Sequence, residues 1–453
     1  MHILLIFRIP DRNAIYKKHE FYLLERPRYS GFSYQELPMS SSTERPALPL
    51  NECDPHWLRN LWVCVFGVFT TIVAMTLLLP FLPLYVEQLG VDDPAAVVLW
   101  SGATYGATFL SAALTAPLWG RLGDRYGRKL MLIRASLGMA VAMSLIGLAQ
   151  TVWQLLLLRL LAGLLGGYAS GATILVATQT PKARSGWALG VLSSGIMAGS
   201  LAGPLIGGVL PPLIGIRNTF FLAGGVIFIT FLATLLLLRE MPRKAPSRAT
   251  DSALPAAVKL SGEQRRMITC MFVVASLVMF STMSVEPIIT VYLRQLKTDN
   301  VTMMAGVVMS ATALGSILAA SRLGRLADRI GYLPVLASCL AMTALTLIPQ
   351  AWVSNVWQLA ALRFFMGLAL GGLLPCVAAI IRHTVPNEVA GRMLGYSTSS
   401  QYLGQVLGPL AGGLLGGYLG MGSVFLGTAM VLAACSIMVG RMGMIRTPAS
   451  SKL

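Results

Sequence analysis

Residues 120–129 read GRLGDRYGRK, and 204 positions later residues 324–333 read GRLADRIGYL. Half of the first stretch is charged, in a chain that is 12% charged overall. The residues around these polar islands are apolar. KLMLIRASLGMAVAMSLIGLA at 129–149 and TFFLAGGVIFITFLATLLLL at 219–238 each reach the ~20 residues a helix needs to cross a bilayer. With 55% hydrophobic residues over 453 positions and about half the charge of a soluble domain, the chain reads as an all-α membrane protein. Such runs are too numerous to be a signal peptide.

The repetition is wider than one loop. VWQLLLLRLLAG (152–163) returns as VWQLAALRFFMG (356–367) at an offset of 204, and GSLAGPLIGG (199–208) as GQVLGPLAGG (404–413) at 205. PFLPLY (80–85) has a looser echo in PIITVY (287–292). Apolar runs predict twelve spans, at about 58–86, 98–119, 130–149, 153–177, 187–211, 219–238, 267–294, 302–322, 333–352, 355–379, 393–417 and 421–440. Two copies of one loop lie on one side of the membrane, so an even number of crossings separates them; the count gives six. The pattern predicts two parallel halves that rock about a central site. The expected layout is a disordered cytoplasmic tail at 1–56, a first half at 57–240, a polar linker at 241–266 rich in Pro, Ser and Ala, a second half at 267–440, and a tail at 441–453. Residues 1–38 read as a disordered tail or an over-extended reading frame, since Met39 offers a start closer to the first span.

The net charge of +17 does not signal nucleic acid, because the cations sit in short clusters between apolar runs. Loops 120–129, 178–186, 239–266, 322–332 and 381–392 hold most loop cations, and the opposite set holds little beyond Arg217, Arg294 and Lys297. By the positive-inside rule the first set and both termini are cytoplasmic. The six cysteines form no CxxC pair and the four histidines fall outside the spans, so no metal cluster is expected. No phosphate-binding GxxxxGK[ST] loop points to ATP.

These motifs resemble the major facilitator superfamily, from about Trp57 to Arg441. GRLGDRYGRK matches that superfamily's loop between its second and third helices, with the weaker copy between the eighth and ninth. GSLAGPLIGG in the fifth span, PFLPLYVEQLG and RKLMLIRASLGMA resemble its bacterial drug:proton antiporters. The resemblance implies a monomeric, multi-pass transporter of the bacterial inner membrane. It has twelve transmembrane helices in two parallel six-helix halves, protons as coupling ion, no other cofactor, no nucleic-acid partner, and small drugs as substrates. Proton-driven export of lipophilic compounds is the expected function. The rival is a proton-coupled uptake symporter for one metabolite. An enzyme would need a catalytic cluster near the interface, and a channel would not need the duplication.

The residues suggest three sites. The first is a cytoplasmic latch. Topology needs no acid in these loops, and the resemblance implies that the loop Asp holds the halves together. Asp124 can accept hydrogen bonds from Arg125 or Arg128, or lie at the amino end of the eleventh span, where the helix dipole favours it. Asp328, with Arg329, mirrors this against the fifth span. Gly120, Gly127, Gly324 and Gly331 permit the tight turn. The second is a glycine seam. Gly195, Gly199, Gly203 and Gly207 repeat every four residues, as do Gly404, Gly408, Gly412 and Gly416, with Pro204 and Pro409 among them. That spacing puts each set on one face, where another backbone can approach closely. The resemblance adds a role against proton leak.

The third site is a charge layer inside the membrane. Glu286, in STMSVEPIITVYLRQL, is the acid that falls within a span; Arg159 and Arg363 are cations at matching depth. At 1.5 Å per residue they lie ~9 to ~12 Å below the outer face. In the superfamily the fourth, seventh and tenth helices line the cavity. Glu286 is therefore expected to face that cavity, pair with Arg363 or else Arg159, and carry the proton; arginine can tune but not carry it. The alternative is that Glu286 reaches the outer surface, leaving Glu87 as the next candidate carrier. Tyr105, Tyr292, Gln401 and Gln405, with many Met, are the expected substrate-cavity residues.

Overall fold

A computed structural model describes residues 56–181, 184–240 and 261–445. The expectations for the tails at 1–55 and 446–453, and for linker residues 241–260, lie outside the described residues. Twelve helical rods run through the described part: α1 Trp57–Gln88, α2 Pro94–Tyr126, α3 Arg128–Ile146, α4 Val152–Gln179, α5 Ser185–Ile214 and α6 Ile216–Leu237, then α7 Gly262–Gln295, α8 Val301–Ile330, α9 Tyr332–Gln350, α10 Val356–Thr384, α11 Asn387–Leu419 and α12 Met421–Ile445. Eleven are long and apolar enough to cross a bilayer; α11 is long enough at 33 residues but is diluted by STSSQ at 397–401. Large apolar side chains such as Leu213 and Leu236, more than 70% exposed, face outward as lipid contact requires.

Local chemistry sets the helix ends. Asp93 accepts a hydrogen bond from Ala96 N, with Pro94 as the first helical residue of α2. Ser261 and Gln264 form a reciprocal capping box at the start of α7, and the Gln264 amide also donates to Thr384 O of α10. The polar stretches at 120–129 and 322–332 are not loops: α2 and α8 continue through them, and each turn is a single glycine, Gly127 (φ 97°) and Gly331 (φ 98°). Gly120 and Gly324 therefore lie inside helices and make no turn. Once past the bilayer, Arg and Lys are good helix formers, so the helix persists until a residue must adopt positive φ.

Within each half the same pairs pack: α1 on α5, α2 on α4 and α3 on α6, repeated as α7 on α11, α8 on α10 and α9 on α12. Tyr85 of α1 donates to Ile146 O and Tyr292 of α7 donates to Gln350 O, so even the ties between helices are duplicated. The two halves meet along α2–α11 and α5–α8.

Glycines show where they meet. At one end, a Cβ on Gly102 would overlap Pro409 O, one on Gly306 would overlap Pro204 O, and Gly208 and Gly413 lie against Thr302–Met303 and Val98–Leu99 of the opposite half. Ser310 of α8 donates to Leu201 O of α5 there at 2.8 Å. At the other end, on the same four helices, a Cβ on Gly120, Gly186, Gly190, Gly324, Gly391 or Gly395 would meet nothing within 4 Å. The halves are closed at the Glu87–Arg294 end and parted at the cation-rich Gly127–Gly331 end.

Candidate functional site

α1 and α7 both break near the closed end. Each has a short 3-10 turn containing a proline, Leu79–Phe81 with Pro80 and Glu286–Ile288 with Pro287. Proline removes a backbone donor and interrupts the ladder. Glu286 opens the break in α7, and Leu79 opens the one in α1. Glu286 is the buried acid among the described residues, at 7% exposure.

Its carboxyl lines a cavity of about 340 Å³ between the halves. Thr76, Leu79, Tyr105 and Met197 border it from the first half, and Met279, Met283, Met309 and Thr312 from the second. The walls are mostly apolar, with four flexible thioethers and one carboxyl, a surface that adapts to ligands of varied shape.

On the other side of Glu286 stands Arg363 of α10, fully buried, with Nη1 3.8 Å from Oε1. That is an ion pair without a hydrogen bond. None of the three Arg363 nitrogens has a hydrogen-bond partner, nor has Glu286 Oε2. Burying two charges costs several kcal/mol each unless geometry and hydrogen bonding are excellent, and here the hydrogen bonds are missing. The pair is thus held by proximity and left open to change, since neither partner is locked to the other.

Arg159 of α4 is also fully buried, but its guanidinium sits 5.8 Å from the Tyr105 ring centroid. It forms no ion pair with Glu286 within 4.0 Å, so the alternative pairing is not made; Tyr105 is its neighbour. The third cation, Arg134, stacks 3.5 Å from the Trp119 ring and donates to Leu165 O, where α4 breaks at Gly166–Gly167.

Of the expected cavity residues, Tyr105 is in the lining. Gln405 lies one layer back, 3.5 Å from Sδ of the lining residue Met279. Tyr292 and Gln401 are not in the lining. The Tyr292 hydroxyl donates to Gln350 O and its ring packs on Phe425, so it ties α7 to α9 and α12. A tyrosine in a span reads the same whether it faces a cavity or a neighbouring helix.

The glycine seams are tight, but they lie inside each half. Gly199, Gly203 and Gly207 press on Phe69, Thr76 and Leu77 of α1, and Gly404, Gly408 and Gly412 on Ser276, Phe280 and Ser284 of α7. Pro204 and Pro409 make the contact across the halves, through their carbonyls. Their partners Gly102 and Gly306 went unmarked in the sequence reading, although they are themselves 204 apart.

At the parted end, Asp328 is exposed and accepts from Tyr332 Oη at 2.5 Å, rather than lying at the amino end of α5. With the halves separated there, α5 is out of reach. The side chain of Asp124 lies outside the described residues. Arg125 stacks on Tyr126 at 5.3 Å. Glu240, just past α6, was missed as a structural residue: its carboxylate accepts from Arg128 N at 2.9 Å and Lys129 N at 2.8 Å. An anion at a helix amino end is favoured by the dipole and by the free N–H groups.

Comparison with known proteins agrees with this architecture. A family model described as Major Facilitator Superfamily matches residues 61–302 and 271–453. The chain is 43% identical over 378 residues to the multidrug resistance protein MdtG of Proteus mirabilis, covering 83% of this chain and 94% of that one. It is 44% identical over 378 residues to MdtG of Dickeya zeae, covering 83% and 92%. Among solved structures it matches a bacterial homologue of the human lysosomal transporter Spinster in an inward-facing, occupied conformation, with a TM-score of 0.71 at 15% identity over 88% of this chain and all of that one.

Proposed function

The chain belongs to the major facilitator superfamily, and from that premise we propose that it exports small lipophilic drugs from the bacterial cytoplasm in exchange for protons. Relatives named multidrug resistance proteins, at 43–44% identity over most of the chain, support the substrate class. The observation that carries the mechanism is Glu286: a buried carboxyl on the wall of the cavity between the halves, 3.8 Å from Arg363.

The cation excess supports reading the parted end as cytoplasmic, in a bacterial inner membrane with both termini on that side. The protein then stands open to the inside. A drug enters between the halves and settles among Met197, Met279, Met283 and Met309. Glu286 gives up its proton toward the cytoplasm, and its carboxylate is held by Arg363. Rocking of the halves opens the outer end, where Glu286 takes a proton from outside and the drug leaves. A resident group other than the proton is not needed for any of these steps. Arg363 never carries the proton, because guanidinium does not release it at working pH.

The test is Glu286→Gln in inverted membrane vesicles. The variant is expected to bind a neutral drug and to lose drug-driven proton release together with drug accumulation. Efflux unchanged by this substitution removes Glu286 from the mechanism. Protons that move with the drug, rather than against it, assign the chain to uptake instead.

A further inference from the structure

We propose that the outer stretch of α7 is a gate strip that links the proton site to closure of the outer end, with Thr290 as its positioning residue. The proposal rests on the reading of Glu286 as the proton carrier. Glu286, Thr290 and Arg294 are spaced by four residues, along one side of a short segment that begins at the α7 break. Beyond the cavity, that side faces α1 of the other half. Thr290 Oγ1, buried to 1% exposure, donates to Pro80 O at 2.9 Å, inside the 3-10 turn of α1. Arg294 holds Glu87 with two parallel hydrogen bonds of 2.6 and 3.0 Å.

The positions show duplication put to use. Pro80 and Pro287, Tyr85 and Tyr292, and Glu87 and Arg294 are each 207 residues apart. The repeat places the last two opposite one another at the rim, with opposite charge. Position 286 corresponds to Leu79, so the carboxyl itself occurs in one half only.

From residue 286 to 295 the strip spans about 13 Å of helical turns. A shift at its inner end passes through the 3-10 turn at Glu286–Ile288 and then one short helical segment to reach both clasps. Both clasps join opposite halves, so both must open when the outer end opens. The exposed Arg294–Glu87 pair is worth little by itself, because water screens it. The buried Thr290 bond has no water to replace it.

A cysteine reporter tests this. Val98 is fully buried on α2 against Gly413 of α11, so Val98→Cys reports opening of the outer end. Cells carrying the full chain are treated with a membrane-impermeant maleimide, and labelling is read above that of protein without the added cysteine. Thr290→Val and Arg294→Glu are each expected to raise the labelling rate about two- to tenfold, the range set by one net hydrogen bond. Thr290→Ser keeps the hydroxyl and should label like the parent. Adding Glu87→Arg to Arg294→Glu should restore parent labelling, which a merely folding-related defect would not do. Glu286→Gln, which holds the site neutral, should change the rate as well. Parent-like labelling in Thr290→Val and Arg294→Glu overturns the gate. Altered labelling in those two with none in Glu286→Gln overturns its link to the carboxyl. Proton release that survives Glu286→Gln in inverted vesicles instead overturns the functional reading beneath both.

Discussion

A carboxyl and a guanidinium 3.8 Å apart, with no hydrogen bond between them, form a pair that other ligands can complete. Removing one partner leaves the other charge uncompensated, at a cost of roughly 3–5 kcal/mol for a buried pair. Arg363→Gln is therefore expected to lower drug-driven proton release in inverted vesicles by more than about tenfold. Arg159→Leu should lower it much less, because the Tyr105 ring, not Glu286, is the neighbour of that guanidinium. Equal losses in the two variants would show that depth alone, not pairing, matters. Glu286 and Arg363 were legible in the sequence because charge inside a span is costly and stands out. Tyr292 was misread, and which of the many Met line the cavity was not readable, because the side of a helix that an uncharged residue faces is set by its neighbours. Those neighbours lie in other helices.

At the scale of elements, small residues act differently according to where their helix stands. Gly102 on α2 presses on the Pro409 carbonyl, whereas Gly190 on α5 faces open space. Gly102→Leu is expected to prevent closure of the outer end and abolish efflux in a drug-resistance assay, while Gly190→Ala should leave this state undisturbed. The turn glycines make a second contrast. Gly127 has φ 97°, and a Cβ there would also approach Glu240 Oε2 at 2.9 Å; Gly120 is inside α2 with nothing nearby. Gly127→Ala should lower the melting temperature of the purified protein, through a cost of about 1–3 kcal/mol for a side chain in this glycine-only backbone region. Gly120→Ala should hold or raise it, since alanine is the better helix former by about 1 kcal/mol. A flat response at Gly127 would mean the turn is not constrained. The helices themselves were plain from hydropathy, but their ends were not. Charged residues mark the membrane boundary, and the helix stops only where glycine lets the backbone turn.

For the whole molecule, alternating access requires the closed end to open. Leu99 and Gly413 bring α2 and α11 together there, and a Cβ on Gly413 would stand 3.2 Å from the Leu99 Cα. That seam has no room for a new side chain, but cysteines in place of Glu87 and Arg294, whose side chains meet across the same rim, should be joined by a short cleavable thiol cross-linker, arrest transport, and recover it when the link is cleaved. Transport that continues while the link is intact would exclude rocking at this rim. The sequence alone determined the twelve spans, the twofold duplication of a six-span half and the charged layer. These depend on local hydropathy and charge, and on a repeat read by comparing two stretches of the chain. Which end is shut, that the long glycine rows pack inside the halves while Gly102 and Gly306 join them, and that Thr290 meets Pro80 were decided by tertiary structure. Those are contacts between residues roughly 100 to 300 positions apart, and the ones that cross between the halves exist in one arrangement of the halves and not in the other.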